Sequence, residues 1–249
     1  MKFVYNEPAM VVNAGGKEYL VIADLHIGME LGLSRKGVHL FGASERMAEM
    51  INTIMKDFSL DRIIMLGDIK ETVLYPDGTS TRLIKEFFTQ LQEFEITIVA
   101  GNHDAHLKDI LDLPMTRELI LGKFALLHGD KNPSEGAMQS DYLITAHNHA
   151  MVRITDKNGA VYDEKVWFMA GLDWKVAHET YKKVNKNLKL IMMPAFNSLI
   201  TGTEISRLYK ESASPMLRNR IFDYDGAKVY NLAGQRIDLS AVRREAPAV

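Results

Sequence analysis

The sequence predicts an α/β fold, and three observations support it. Short apolar runs alternate with segments whose hydrophobic residues recur at helical spacing. Past residue 150 the pattern becomes richer in strands. Five of the apolar runs stop abruptly on aspartate, histidine or asparagine, as parallel strands do where their carboxyl ends meet a site. With 249 residues, 47% of them hydrophobic, the chain can bury a sizeable core, and residues 1–249 read as one domain.

Taken in order, Phe3 to Tyr5 and Met10 to Asn13 read as strands, Gly15-Gly16 as a turn, and Glu18 to Ala23 as the returning strand of a hairpin. Ser34 to Gly42 reads as a loop. Ala43 to Phe58 carries Met47, Met50, Ile51, Ile54 and Met55 on one helical face, and Ser80 to Phe94 does the same with Leu83, Ile84, Phe87, Phe88 and Leu91. These stripes read as core faces rather than cofactor contacts. Ile63 to Leu66, Ile96 to Ala100, Phe124 to Leu127 and Tyr142 to Thr145 are short, apolar and bounded by turns, the mark of buried strands. Further strands are expected at Met151 to Thr155, Val166 to Ala170 and Leu188 to Met192, with a closing hairpin over Phe222 to Tyr230 around Asp225-Gly226 and a loose tail from Ala241 to Val249.

Composition excludes several kinds of chemistry. The absence of cysteine removes disulfides, zinc ribbons and thiolate nucleophiles together. A net charge of −2 gives no global attraction to nucleic acid, and the cluster Lys182, Lys183, Lys186 and Lys189 reads as a solvated face. No run reaches the roughly 18 apolar residues that a membrane span needs. The N-terminus meets Glu7 and Pro8 before a signal-peptide core could form, so the expected location is the cytoplasm. Gly122-Lys123 lacks the rest of a phosphate-binding loop, which excludes chemistry driven by ATP through such a loop. His39, His106 and His178 read as local hydrogen-bonding groups, and Trp167 and Trp174 as packing.

The chemistry gathers where the five runs end: VIADLH, IIMLGD, TIVAGNH, ALLHGD and LITAHNH. On one sheet edge these bring together Asp24, His26, Asp68, Asn102, His103, His128, His147 and His149. Nitrogen and oxygen donors without thiolate suit borderline to hard divalent ions such as manganese, iron, zinc or nickel. The donors exceed the needs of one ion, so two are expected, with a carboxylate shared between them. Two dications, two aspartates and a hydroxide sum to +1, which still attracts an anionic phosphate ester.

The ordered set Asp-x-His, Gly-Asp, Gly-Asn-His-Asp, His and His-x-His resembles the calcineurin-like metallophosphoesterase superfamily over about residues 20 to 150. Pro194 to Asn197 (PAFN), Gly202 and the lack of a large capping segment resemble its small archaeal SbcD-related branch, whose bacterial cousins are the DNA ligase-associated phosphoesterases. The resemblance implies a four-layer αββα sandwich with two mixed β-sheets. It assigns Asp24, His26 and His149 to a first metal, Asn102, His128 and His147 to a second, and Asp68 to both. It further implies attack by a hydroxide held between the ions, with His103 protonating the leaving group. The expected substrate is a phosphoester, a phosphodiester before a monoester, carried by a nucleotide or a nucleic-acid end, with a functional link to DNA repair proteins. A non-catalytic scaffold of the same fold and an SbcD-like nuclease component are the alternatives.

Three departures bear on the site. Ala146 stands where the family usually has glycine, so that position must keep an ordinary backbone conformation. Glu71 stands where relatives carry aspartate or histidine, and is expected to orient His103 as an acid–base partner, while Lys70 could reach phosphate. Asp130 adds a carboxylate close to the site, where it could bind a histidine, meet solvent or repel a dianionic monoester.

Overall fold

A computed structural model describes residues 1–40, 42–155, 158–212 and 214–238; the expected tail from Ala241 to Val249 lies outside them. The first sheet has six strands in chain order: β1 (Lys2–Phe3), β2 (Met10–Ala14), β3 (Lys17–Ala23), β4 (Arg62–Leu66), β5 (Glu95–Val99) and β6 (Met115–Thr116). The opening hairpin makes β1 to β3 antiparallel, and β3 to β6 run parallel. Their crossovers carry α1 (Met29–Arg35) and α2 (Ala43–Asp57), then α3 (Gly78–Thr89).

The second sheet contains β7 (Glu118–Leu121), β8 (Phe124–Leu127), β9 (Tyr142–Thr145), β10 (Ala150–Thr155), β11 (Val161–Leu172), β12 (Lys189–Met192), β13 (Thr203–Glu204), β14 (Phe222–Asn231) and β15 (Arg236–Ile237). Its spatial order is β13-β10-β11-β12-β9-β8-β7, with β14 pairing β11 and β15. The central pairs β8–β9 and β9–β12 are parallel, whereas β10–β11 and β11–β12 are antiparallel.

Residue parity divides the core into three layers of contact. Leu20, Ile22, Ile63 and Met65 face outward onto Met47, Ile51 and Ile54 of α2 and Ile84 and Phe87 of α3. Their neighbours Val21, Ala23, Ile64 and Leu66 face inward, where they join Phe124, Leu126, Ile144, Trp167 and Ile191 of the second sheet. On that sheet Leu143, Leu190, Met192 and Phe168 face outward onto Ala177 and Leu217. Strands with both faces covered must be apolar throughout, so the runs show no alternation in sequence. Four layers follow from three apolar contacts, and the sandwich is the fold that the strand pattern and resemblance imply.

Local chemistry moves several boundaries. Helix α3 starts at Gly78, two residues before the expected Ser80, because the Asp77 carboxylate caps it by accepting from the Ser80 N–H at 2.8 Å. It ends at Thr89, leaving Leu91 buried beyond it. The expected loop from Ser34 begins inside α1, whose buried Glu30 accepts from the Ser44 hydroxyl at 2.5 Å and so ties α1 to the first turn of α2. The expected hairpin at Asp225-Gly226 is instead a register shift within the continuous strand β14, which pairs with β11 on both sides of it. There Asp223 Oδ1 accepts from the Gly226 N–H at 3.0 Å, and the chain bends without reversing. The reversal comes later, where the Gln235 N–H meets Asn231 Oδ1. A fourth helix, α4 (Trp174–Thr180), capped by Asp173, has no counterpart in the sequence reading.

No helix among the described residues is long and apolar enough to cross a membrane. Phe87 is fully buried between α3 and the first sheet. Phe87→Ala is therefore expected to cost about 3 to 5 kcal/mol, read as a lower urea midpoint with an unchanged m-value.

Candidate metal centre

Strands β3, β4 and β5 are adjacent and parallel, so Asp24, Asp68 and Asn102 leave the first sheet at one edge. Strands β8 and β9 bring His128, His147 and His149 to the same edge from the second sheet. The turns are stitched together by main-chain bonds from the His26 N–H to the Asp68 carbonyl and from the Ala146 N–H to the His128 carbonyl, both 2.8 Å. A bond from the His147 N–H to Asp24 Oδ2 at 3.3 Å crosses between the sheets.

Backbone strain concentrates here. Asp24, His26, Asp68, His147 and His149 all have positive φ, between 43° and 70°. Each such conformation costs of order 1 kcal/mol for a residue bearing a Cβ and persists only where surrounding bonds over-determine it. Ala146 is absent from the positive-φ residues and fully buried, as its side chain requires, and the left-handed turns fall on the two histidines beside it.

The side chains form two adjoining clusters. In the first, His149 Nε2 lies 3.3 Å from Asp24 Oδ1, with the His26 ring 5.3 Å from that of His149. Asp24 Oδ1, His26 Nε2 and His149 Nε2 are buried and make no hydrogen bond. In the second, His128 Nε2 lies 3.1 Å both from Asp68 Oδ2 and from His147 Nδ1. Asp68 stands between the two: its Oδ2 is 3.7 Å from His26 Nε2 and 4.0 Å from His103 Nε2, while its Oδ1 accepts from the His103 main-chain N–H at 2.9 Å.

Tautomers are set from outside the clusters. His26 Nδ1 bonds the Glu71 carboxylate at 2.7 Å, and His128 Nδ1 faces the Leu66 carbonyl at 3.4 Å. The His26 ring thereby leaves Nε2 without a partner and pointing inward, as imidazoles that hold a cation do, whereas His128 Nε2 meets Asp68 Oδ2 and His147 Nδ1. Three buried polar atoms of the first cluster without hydrogen-bond partners are costly with no cation between them. All become favourable around cations, so the residues fit divalent ions in both clusters. Asn102 is exposed and directly follows Gly101, where an added Cβ would lie 2.2 Å from Asp68 Oδ1 and 2.9 Å from His128 Cδ2.

Charge follows the same geometry. Burial opposes ionisation of Asp68, yet its hydrogen bond to His128 and the charges of His128 and His103 hold it well below the usual carboxylate range. Burial likewise opposes charge on His128, but the Asp68 hydrogen bond and the Asp24 and Asp68 charges push it up to about 9. Burial and the neighbouring His128 push His147 down to about 4.

Two expectations need correction. The Glu71 carboxylate does not orient His103; it is taken by His26, and the main-chain carbonyl of Glu71 accepts from His103 Nδ1 at 2.5 Å. The longer glutamate arm reaches past the neighbouring imidazole. Lys70 does not reach phosphate: it is fully buried, with Nζ donating to the carbonyls of Thr72 and Leu74. Asp130 is half-buried and lies 4.0 Å from the exposed Lys131 ammonium. His39, His106 and His178 bind Ser34, Asp109 and the Trp174 ring, away from both clusters.

The supports beneath the site were mostly invisible in sequence. Buried Asp104 accepts from the Ile69 and Gly101 N–H groups, both at 2.8 Å, fixing the turns that carry Asp68 and Asn102. Its place in the Gly-Asn-His-Asp string was the available signal. Lys165 Nζ donates at 2.6 Å to the carbonyls of Ala195 and Asn197, and Asn197 Nδ2 donates to the Leu25 carbonyl at 2.8 Å, so PAFN braces the turn between Asp24 and His26. Lys165 gave no signal, because it sits in the polar stretch YDEK. Gly67 and Gly202 let backbone approach ligands: a Cβ would lie 2.1 Å from His128 Nδ1 at Gly67 and 1.9 Å from the His149 carbonyl oxygen at Gly202.

A family model described as calcineurin-like phosphoesterase matches residues 18–194. The chain is similar in structure to Pseudomonas putida nuclease MPE, with 15% identity and a TM-score of 0.56 over 90% of this chain and 97% of that one. It is also similar to Yfce, a phosphoesterase from E. coli, with 19% identity and a TM-score of 0.36 over 55% of this chain and 73% of that one. No curated protein matches the chain.

Two outcomes are expected. In the chelator-treated protein, His128 has its pKa raised from 6.5 to about 9, so its contribution to stability is full below pH 6.5 and is lost as pH rises through 9. His147, lowered from 6.5 to about 4, has the opposite sense: stability rises with pH between 4 and 6.5. The urea midpoint of the chelated protein should therefore peak near pH 6.5 and fall on both sides; a midpoint still rising at pH 9 would contradict this. Gly202→Ala should reduce bound metal, measured by elemental analysis after dialysis, because the added Cβ displaces the main chain of His149.

Proposed function

The chain belongs to the calcineurin-like phosphoesterase family, and from that premise we propose that it is a two-metal phosphodiesterase acting on nucleotides or nucleic acid. One observation carries the reading: Asp24 Oδ1, His26 Nε2 and His149 Nε2 are buried without hydrogen-bond partners beside Asp68, which also contacts His128. Asp24, His26 and His149 would hold one ion, Asn102, His128 and His147 the other, and Asp68 both. Manganese is the first choice for such a donor set, with iron, zinc or nickel as alternatives. Bound there, the ions would lower the pKa of a shared water toward neutrality and neutralise phosphoryl oxygens.

The chain's own residues do the rest. His103 is fixed through Nδ1 to the Glu71 carbonyl, which turns Nε2 toward the site, where it holds the proton delivered to the leaving alkoxide. The Glu71 carboxylate orients His26 and thereby the first cluster. Asp130 at the mouth favours a monoanionic diester over a dianionic monoester by repulsion. PAFN, whose Asn197 braces Leu25, and Gly202, packed on His149, support placement in the small SbcD-related branch, with residues 1–249 working as one unit.

With added Mn²⁺, bis(p-nitrophenyl) phosphate is expected to turn over faster than p-nitrophenyl phosphate; the reverse order would remove the diester preference. His103→Gln should lower kcat by roughly 10² to 10⁴ while retaining bound metal, and unchanged turnover would remove its role as proton donor. Asp68→Asn should lose both metal and activity, since it contacts both clusters.

A further inference from the structure

Beside the metal centre lies a cavity of about 930 Å³, between the β5–β6 edge of the first sheet and the β7–β8 edge of the second. Its lining includes Asn102, His106, Lys108, Arg117 and Asp130. Among the described residues neither Lys108 nor Arg117 makes an ion pair or side-chain hydrogen bond, whereas Asp104, Asp109 and Glu118 along the same wall are engaged and Asp130 lies 4.0 Å from Lys131. Asp104 accepts two main-chain N–H groups, Asp109 pairs with His106, and Glu118 accepts from the Ser134 N–H and hydroxyl.

Beside His106 stands an apolar loop. Val73, Leu74 and Tyr75 are 51%, 77% and 61% exposed, and the Tyr75 ring packs against that of His106 at 5.5 Å. Contiguous exposed apolar residues of this kind mark interaction sites. Here the loop is held from beneath: the buried Lys70 ammonium donates to the carbonyls of Thr72 and Leu74 on either side of Val73. A buried cation therefore spends its hydrogen bonds on presenting an aromatic ring to solvent, four residues after the carbonyl that fixes His103.

We propose that this groove binds the single-stranded nucleotide chain on the leaving-group side of the scissile phosphate, with a base stacked on Tyr75 and the next phosphates on Lys108 and Arg117. The inference rests on the phosphodiesterase reading and names its substrate class. An aromatic face offers a stacking surface to any unpaired base, and unpaired cations answer the phosphates that follow it. A base within a duplex has no free face to offer Tyr75, which is why the strand is single.

The test separates this inference from the activity beneath it. Binding of a fluorescent 12-nucleotide single strand, followed by anisotropy in EDTA, needs no metal and no turnover. Tyr75→Ala should raise Kd by about fivefold to a hundredfold. Lys108→Ala with Arg117→Ala should raise it at least tenfold and flatten the dependence of log K on log salt by about 1.4. Unchanged affinity in these variants, or equal affinity for a duplex with the same loss on Tyr75→Ala, would overturn the groove. With Mn²⁺, the variants should lose at least tenfold more kcat/KM on the oligonucleotide than on bis(p-nitrophenyl) phosphate, and equal losses would also overturn it. If the wild-type protein hydrolyses neither substrate, the phosphodiesterase reading fails while anisotropy still decides the groove.

Discussion

The buried carboxylate of Asp68 is the constraint on which the rest of the site depends. One oxygen is fixed by the His103 N–H, and the other faces His26, His128 and His103 within 4.0 Å. No side chain on a regular strand could face so many partners from both sheets. Asp68 does so because its backbone turns left-handed directly after β4, at φ 49°, with Gly67 at φ 75° before it. A Cβ at Gly67 would occupy the space of the His128 ring, so the glycine and the histidine from the other sheet are one packing solution.

That geometry explains why strain is spread over five positions of the site rather than relieved. Parallel strands deliver chain ends to an edge but leave side chains alternating above and below the sheet. A left-handed residue at each end re-aims the side chain into the gap between the sheets. The cost is offset by the apolar layer behind it, where Val21, Ala23, Ile64 and Leu66 meet Ile144 and Trp167 in full burial. Rigid strands hold strained turns, and strained turns hold converging donors.

The parts legible in sequence were those that depend on one segment at a time. Apolar runs such as Phe124 to Leu127 and Tyr142 to Thr145 match β8 and β9 residue for residue, because burial on both faces leaves a continuous hydrophobic signature. The donors at their ends were legible for the same reason, and the structure brings their side chains to one edge, with Asn102 exposed. What escaped depends on distant pairs. The reach of Glu71 to His26 rather than His103 is decided by one arm's length across two loops. Lys165 bracing Ala195 and Asn197 links residues thirty and more positions apart, and nothing in YDEK distinguishes it from a solvated charge. The bend of β14 at Gly226 imitates a hairpin, since Asp-Gly serves a bulge as readily as a reversal.

The same long-range pairs govern the charge of the site. Asp24, Asp68 and Asp104 are buried close together, and isolated buried carboxylates would protonate rather than remain charged. Asp104 has its pKa raised by burial, though two main-chain N–H groups oppose the shift. Asp24 and Asp68 have theirs lowered despite burial, chiefly through His149 for the first and His128 for the second. His128, pushed up to about 9, stands 3.7 Å from Asp24 and 3.1 Å from Asp68, so at neutral pH its charge balances the carboxylates. A divalent cation held in the second cluster would replace that proton with a larger charge in the same gap. The scaffold therefore keeps these side chains charged and converged as it stands, and an ion held there would exchange one positive charge for another.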